Sequence, residues 1–342
     1  MELSRQQCDN IKGYAILLIV VHNFVDHLLG IHCNEMAYSQ ANTDAFLSGV
    51  FSSAAVWQLF SFAGWVGVVM FLFLSGYGLM RKYGTAPIQP CAYAKSHLAK
   101  LWRLLVPVYL LYFVIYHYGF QQDHNWQSVI AQLTFTINLL DYGKNCFLTE
   151  PGVYWFFGAI LQFYLLFLAI RRLDNRWLWF IVALSLTLNY IVIYTFNADA
   201  SWWVRQNAIG WMVPFVMGML AARMPMREQQ RRHQLSINVV LCIVALIMLS
   251  ICLVIKALAP FTEVFTILFF VALTGIFSSR IIAYCGAISA SLFVIHPFVR
   301  MICYHYFSTS QLSTIAMVAI YLIAVFVLSG LHQLIMKRYS TR

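Results

Sequence analysis

The chain alternates long apolar runs with short polar joints. Ten runs can be read along it, at approximately 11–30, 62–80, 104–118, 153–170, 177–195, 208–222, 237–255, 261–277, 282–302 and 315–335. Most approach the roughly 20 residues that a helix needs to cross a hydrocarbon core. The pattern predicts an all-α, polytopic transmembrane helix bundle of about ten spans. It forms one integral membrane domain over residues 1–342. The third and sixth runs are short and carry Pro107 and Pro214. The backbone groups freed there need partners on neighbouring helices or water. Residues 126–140 are expected to form a short helix lying on the membrane or dipping into it.

Composition sharpens this picture. Only 10% of the 342 residues are charged and 61% are hydrophobic, whereas a soluble domain averages roughly 25% charged. So few charges cannot coat a globule of this size, so lipid must cover the surface. The formal net charge of +10 would suggest nucleic acid in a soluble protein. Here the cations sit in the joints, with no continuous basic face, and no nucleic-acid partner is expected. Eighteen of the 22 Lys and Arg fall in alternate joints, and the exceptions are Lys144, Arg205, Lys256 and Arg300. The positive-inside rule places the eighteen, and both termini, in the cytoplasm. An odd number of spans would break that alternation. The first apolar run is too long for a cleavable signal peptide. Tryptophans such as Trp57, Trp102, Trp177, Trp202 and Trp203 gather near run ends, as interfacial belts favour. The eight cysteines are scattered with no zinc-like spacing, and no metal is expected. Cys33 and Cys146 both fall in loops expected outside, and a disulfide between them is one open possibility.

Ionisable residues inside spans are costly and usually functional. The first span carries Lys12 at its inner edge, then His22, Asn23 and Asp26. His22 and Asp26 are four apart, on one helical face about 6 Å apart along the axis. A carboxylate so placed can orient or polarise an imidazole that acts as a general base near neutral pH. The ninth span carries Ser291 and His296-Pro297, where proline breaks the helix ladder beside a titratable ring. Both histidines fall near mid-depth, so the two rings can meet. Lys100 and Arg103 are three apart at the start of the third span and suit a phosphate-bearing ligand if they face into the bundle. The fourth span begins at Tyr154-Trp155-Phe156 and holds Gln162 at mid-depth, where an amide can bind a substrate hydroxyl or another helix. Small residues around Ser75-Gly76-Tyr77 permit close approach of a helix or ligand.

Taken together these stretches resemble the acyltransferase-3 family of bacterial integral membrane acyltransferases. The resemblance rests on Asn10-Ile-Lys12-Gly13 through His22, Phe71-Leu-Phe-Leu-Ser75-Gly76-Tyr77, and Lys100-Leu-Trp-Arg103 running to Pro107 and Tyr109. It continues in Tyr154-Trp155-Phe156 with Gln162, and ends in Ser291-Leu-Phe-Val-Ile-His296-Pro297. It implies a multi-pass protein of the bacterial plasma (inner) membrane. Its donor is implied to be acyl-CoA, with acetyl-CoA expected, and its acceptor a hydroxyl of a surface glycan or lipid-linked saccharide. Two departures stand out. Lys12 and His22 have nine residues between them where the family usually has ten. Ten steps of about 100° fall about 80° short of three turns, so the two side chains do not share a face. Gln162 stands near where many relatives carry a Glu, and an amide cannot titrate.

The expected mechanism follows from this placement. His22 is the base, with Asp26 and His296 as catalytic partners. Lys12, Lys100, Arg103, Ser75 and Tyr77 receive the donor, and Trp155 and Gln162 the acceptor. The competing class is a transporter or flippase for a glycan precursor or small anion, which mid-depth polar groups also suit. A non-catalytic subunit of a polysaccharide assembly complex would tolerate changes at both histidines.

Overall fold

A computed structural model describes residues 2–30, 32–123, 125–140, 152–224, 234–307 and 312–340. Cys146 lies outside them, and so does the question of its pairing with Cys33. Every described regular element is a helix. All ten apolar runs are helical. Among the described residues six helices are long and apolar enough to cross a membrane, two more candidates are bent pairs, and two are shorter apolar helices at 155–170 and 208–223.

The first helix, α1 (Arg5–Leu29), starts at a capping box. Gln7 donates its backbone N–H to Ser4 Oγ (3.1 Å), and Ser4 donates its own to Gln7 Oε1 (2.9 Å). It stops at Gly30 in the left-handed conformation, φ 63°. Next come α2 (Gln40–Gly49), α3 (Ala55–Ala63) and α4 (Val66–Tyr83). The last two form a pair bent by 40°. α5 (Pro90–Phe113) continues through one π-helical turn to Gly119, so the third run belongs to a helix of 30 residues and is not a short span. Its polar first turns are as helical as its apolar part, which hydrophobicity alone does not reveal. The short α6 (Trp126–Leu133) lies where a helix was expected. There follow α7 (Trp155–Ile170), α8 (Asn175–Thr195), α9 (Ala198–Gln206) and α10 (Met212–Arg223). α11 (Gln234–Val254) and α12 (Thr262–Ile276) lead to α13 (Arg280–Ala287) and α14 (Ser289–Phe307), which are bent by 74°. The last helix is α15 (Thr314–Ser340).

α1 occupies the middle of the bundle. Ile11, Ala15, Ile16, Phe24 and Val25 are all fully enclosed. At its basic end Asn10 ties α1 to the turn before α13, donating to Ser278 Oγ (3.3 Å) and accepting from the Ser279 N–H (3.0 Å). α4 and α10 touch backbone to backbone through a reciprocal pair of glycines. A Cβ at Gly76 would strike the Phe215 carbonyl, and one at Gly218 the Phe73 carbonyl. Between apolar helices in lipid, such close packing replaces the hydrophobic drive that water would supply. The outer helices show the opposite composition. Ile315, Ile323, Val327 and Leu331 of α15 and Val240, Ile243 and Ile247 of α11 are all exposed. A soluble monomer rarely carries so large an apolar surface; a bilayer covers it.

Candidate active site

His22 points inward. It is 5% exposed, and its Nδ1 lies 3.2 Å from the Phe60 carbonyl of α3. A carbonyl can only accept, so Nδ1 carries the proton and Nε2 keeps its lone pair. The approach depends on Gly64, because a side chain there would strike the His22 Cβ. One turn along α1, Asp26 accepts from Ser61 Oγ (3.2 Å). Asp26 and His22 therefore each bond α3, at adjacent residues, and no direct bond joins them among the described contacts.

His296 is fully buried on α14. Pro297 has no N–H, so the Phe293 carbonyl loses its regular helix partner. The His296 Nδ1–H donates to the Leu292 carbonyl (3.2 Å), and its Nε2 meets no hydrogen-bond partner among the described residues. One turn further, Arg300 donates from Nη1 to the Asn23 carbonyl (3.4 Å) and bears electrostatically on both histidine rings. The structure thus brings His22, His296, Asp26 and Arg300 into one interior neighbourhood.

A cavity of about 30 Å³ adjoins His22 and is lined by Asn23, Glu35, Trp65, Val153, Trp155, Phe156 and Phe293, among others. That volume holds a water but not a thioester and a sugar. Trp155, placed with the acceptor by sequence, does line it. Gln162 does not. Its Nε2 donates to Asn207 Oδ1 (2.7 Å) and its Oε1 accepts from the Ala208 N–H (2.9 Å). Asn207 in turn donates to the carbonyls of Asn138 (2.9 Å) and Trp203 (2.7 Å). This amide is occupied in holding α7 to the connection between α9 and α10.

Sequence reasoning missed the loop that follows α1. A ring nitrogen of His22, Cys33 Sγ and a carboxylate oxygen of Glu35 lie within 4.8 Å of one another. Arg205 of α9 anchors this loop, donating from Nε to the Glu35 carbonyl (3.0 Å). Its Nη1 bonds the Gly210 carbonyl (2.7 Å) and Glu263 Oε1 (2.6 Å), and the guanidinium lies 3.5 Å over the Trp211 ring. The Arg205 and Glu263 side chains are 11% and 3% exposed. A signal for Arg205 and Arg300 was present in the sequence, since both are exceptions to the basic-joint pattern. No comparable signal marks Glu35.

The cations placed with the donor lie elsewhere. Lys100 and Arg103 are exposed on α5. With Gln333, Met336 and Lys337 of α15 they border a cleft of about 440 Å³. Arg103 and Met336 also border an apolar groove of about 770 Å³ between α5, α14 and α15. On its floor His332 Nδ1 lies 2.9 Å from Ser291 Oγ, which donates to Gln333 Oε1 (3.0 Å). Lys12 pairs with Asp9 (3.0 Å). Ser75 donates to the Phe71 carbonyl (2.7 Å), and the Tyr77 hydroxyl accepts from the Leu3 N–H (2.9 Å). Neither lines the cavity beside His22.

A family model described as an acyltransferase domain matches residues 5–333, nearly the whole chain. The chain belongs to the acyltransferase-3 family. It is a membrane acyltransferase by family and an integral membrane protein by its apolar helices. No curated protein and no solved structure matches it.

Proposed function

We propose that the protein is a membrane O-acyltransferase of the bacterial plasma membrane. It moves an acetyl group from cytoplasmic acetyl-CoA to a hydroxyl of an extracytoplasmic glycan or lipid-linked sugar. The observation that carries this reading is the His22 ring, turned into the bundle beside a polar-edged cavity. With Nδ1–H engaged by Phe60, Nε2 is the nitrogen left to take a proton.

Lys100, Arg103 and Lys337 form the docking edge for the donor phosphates, where guanidinium and ammonium groups make charge-assisted bonds. The groove beyond them, lined by Trp102, Val106, Pro107 and Phe298, is a better-supported path for the pantetheine arm than the Ser75 and Tyr77 region, which is packed. At the centre the acceptor oxygen attacks the thioester carbonyl while His22 Nε2 takes its proton. Arg300, one turn from His296, is the cation nearest this centre that can stabilise the oxyanion. Collapse breaks the C–S bond, and the electron pair leaves on sulfur. The cavity beside His22 is too small for both substrates, so turnover requires the wall formed by Phe156, Phe293 and the loop after α1 to move.

The deciding experiment supplies labelled acetyl-CoA to membranes containing the full chain and measures covalent label on surface polymer. His22→Ala is expected to abolish incorporation while protein level and membrane insertion stay normal. Wild-type incorporation by that variant refutes the assignment. A transporter would leave no acetyl group on the polymer in either case.

A further inference from the structure

Glu35 is an unassigned titratable group close to the proposed base, and it has two neighbours of different kinds. On one side it lines the cavity of about 30 Å³ that holds His22. On the other it lines a separate cavity of about 50 Å³, bordered by Asn34, Tyr38, Asn189, Ser201, Arg205 and Glu263, among others. Trp65 is the other residue common to both. Asn34, Glu35 and Tyr38 belong to the loop after α1, at the end of that helix opposite Lys12, so the second cavity lies on the side away from the basic joints.

The loop is held in place through its backbone and not through the carboxylate. Arg205 Nε grips the Glu35 carbonyl (3.0 Å), while Arg205 Nη1 is committed to Glu263 (2.6 Å). The Glu35 side chain is thereby placed with a carboxylate oxygen within 4.8 Å of a His22 ring nitrogen and of Cys33 Sγ. A separation of this size is bridged by one water, and the cavity beside His22 has room for one.

The charges around Glu35 come from several elements. Burial pushes its carboxyl up to about 8; Arg205 of α9 opposes this, and Asp26 of α1 adds to it. Glu263 of α12 is neutralised by Arg205, and Arg300 of α14 faces His22. Cys33 is held as a thiol, since burial and the carboxylates of Glu35 and Asp26 push it well above its usual range. It is therefore a poor proton carrier, and Glu35 is the residue of this loop that lines the cavity beside His22.

We infer that Glu35 is the proton-relay partner of His22, passing the proton of the acceptor hydroxyl from the imidazole towards the outer cavity. This rests on His22 being the base of the acyl transfer proposed above. In the step, the acceptor O–C bond forms and the thioester C–S bond breaks. The hydroxyl proton goes to His22 Nε2 and then, through one water, to the Glu35 carboxylate. The CoA thiolate takes its proton from cytoplasmic water. Glu35 so supplies the titratable carboxyl that Gln162 cannot.

The test uses permeabilised membranes, whose two faces share one pH, containing the full chain and labelled acetyl-CoA. For the wild type, transfer should rise about tenfold per pH unit below 8 and level off above it. Glu35→Gln should lower the rate about 100-fold at pH 8, leave the KM for acetyl-CoA unchanged and remove that inflection. Glu35→Asp should retain part of the rate and a pH inflection. Thermal melting in detergent separates misfolding from lost chemistry. A Glu35→Gln enzyme with wild-type rate and profile overturns the relay, and so does a folded, slower enzyme whose profile keeps its shape. Stoichiometric zinc in the wild type that is lost in Glu35→Gln also overturns it. If His22→Ala stays fully active, the acyl-transfer reading fails first. If His22→Ala is inactive and Glu35→Gln is normal, that reading stands and the relay alone falls.

Discussion

The basic groove of α5 and α15 and the enclosed centre around His22 handle charge in opposite ways. In the groove, Arg103 is exposed at the rim of a volume of about 770 Å³ and, with the exposed Lys100, borders the cleft of about 440 Å³ beside it. Their charges are hydrated, so each contributes modestly to binding and is screened by salt. At the centre the charged groups are enclosed and matched. Arg205 meets Glu263 at 2.6 Å with both side chains nearly closed off, and the cavity beside His22 has room for little more than water. A lost partner there strands a charge in a low dielectric. The contrast suits the proposed reaction, in which a highly charged donor is collected at one face and the proton moves where bulk water is excluded.

The predictions that break or sharpen this contrast run from the centre outward. The largest effect is expected at His22→Ala, a loss of about 1,000-fold or more in transfer rate, read as label on polymer. Arg205→Ala should come next, since removing one partner of a buried pair costs roughly 3–5 kcal/mol. Thermal melting of the detergent-solubilised chain checks this, and adding Glu263→Gln should recover part of the loss. Melting that is insensitive to Arg205→Ala would remove the distinction between the two regions.

Glu35 makes a third test through pH. Its carboxyl is raised in the fold from 4.5 to about 8, so between those values the folded chain binds more protons than the unfolded one. Its contribution to stability is therefore present below about pH 4.5 and is lost as pH rises towards 8. The melting temperature of Glu35→Gln should fall less steeply over that window than that of the wild type. In the groove, Arg103→Ala should raise the apparent KM for acetyl-CoA roughly tenfold with little change for the acceptor. Lys337→Ala should raise it only about twofold, with the effect shrinking in high salt.

Much of this layout was legible in the sequence, and the gaps have physical causes. Hydropathy located all ten helical runs because lipid imposes one length scale on each of them. It underestimated α5, whose first turns from Pro90 to Lys100 are helical but polar. The inward placement of His22 and His296 was legible because an imidazole in an apolar run is costly to expose to lipid. The spacing of Lys100 and Arg103 fixed a shared face but not the direction in which it points, since helical rotation is set by packing against α14 and α15. Gln162 looked free for a ligand because its partners at Asn207 and Ala208 lie some 45 residues away along the chain. Glu35 sits in a loop without periodicity, and its nearness to His22 arises only when that loop folds back and Arg205, 170 residues distant, takes hold of its carbonyl.

That guanidinium sets how the outer wall can move. It joins the Glu35 backbone, the Gly210 carbonyl, the Glu263 carboxylate and the Trp211 face at one point. Sliding the loop by an ångström or two stretches the first of these bonds beyond use while the others hold. The wall is therefore pinned at a single point, and any outward shift of the loop has first to release the Glu35 carbonyl from Arg205.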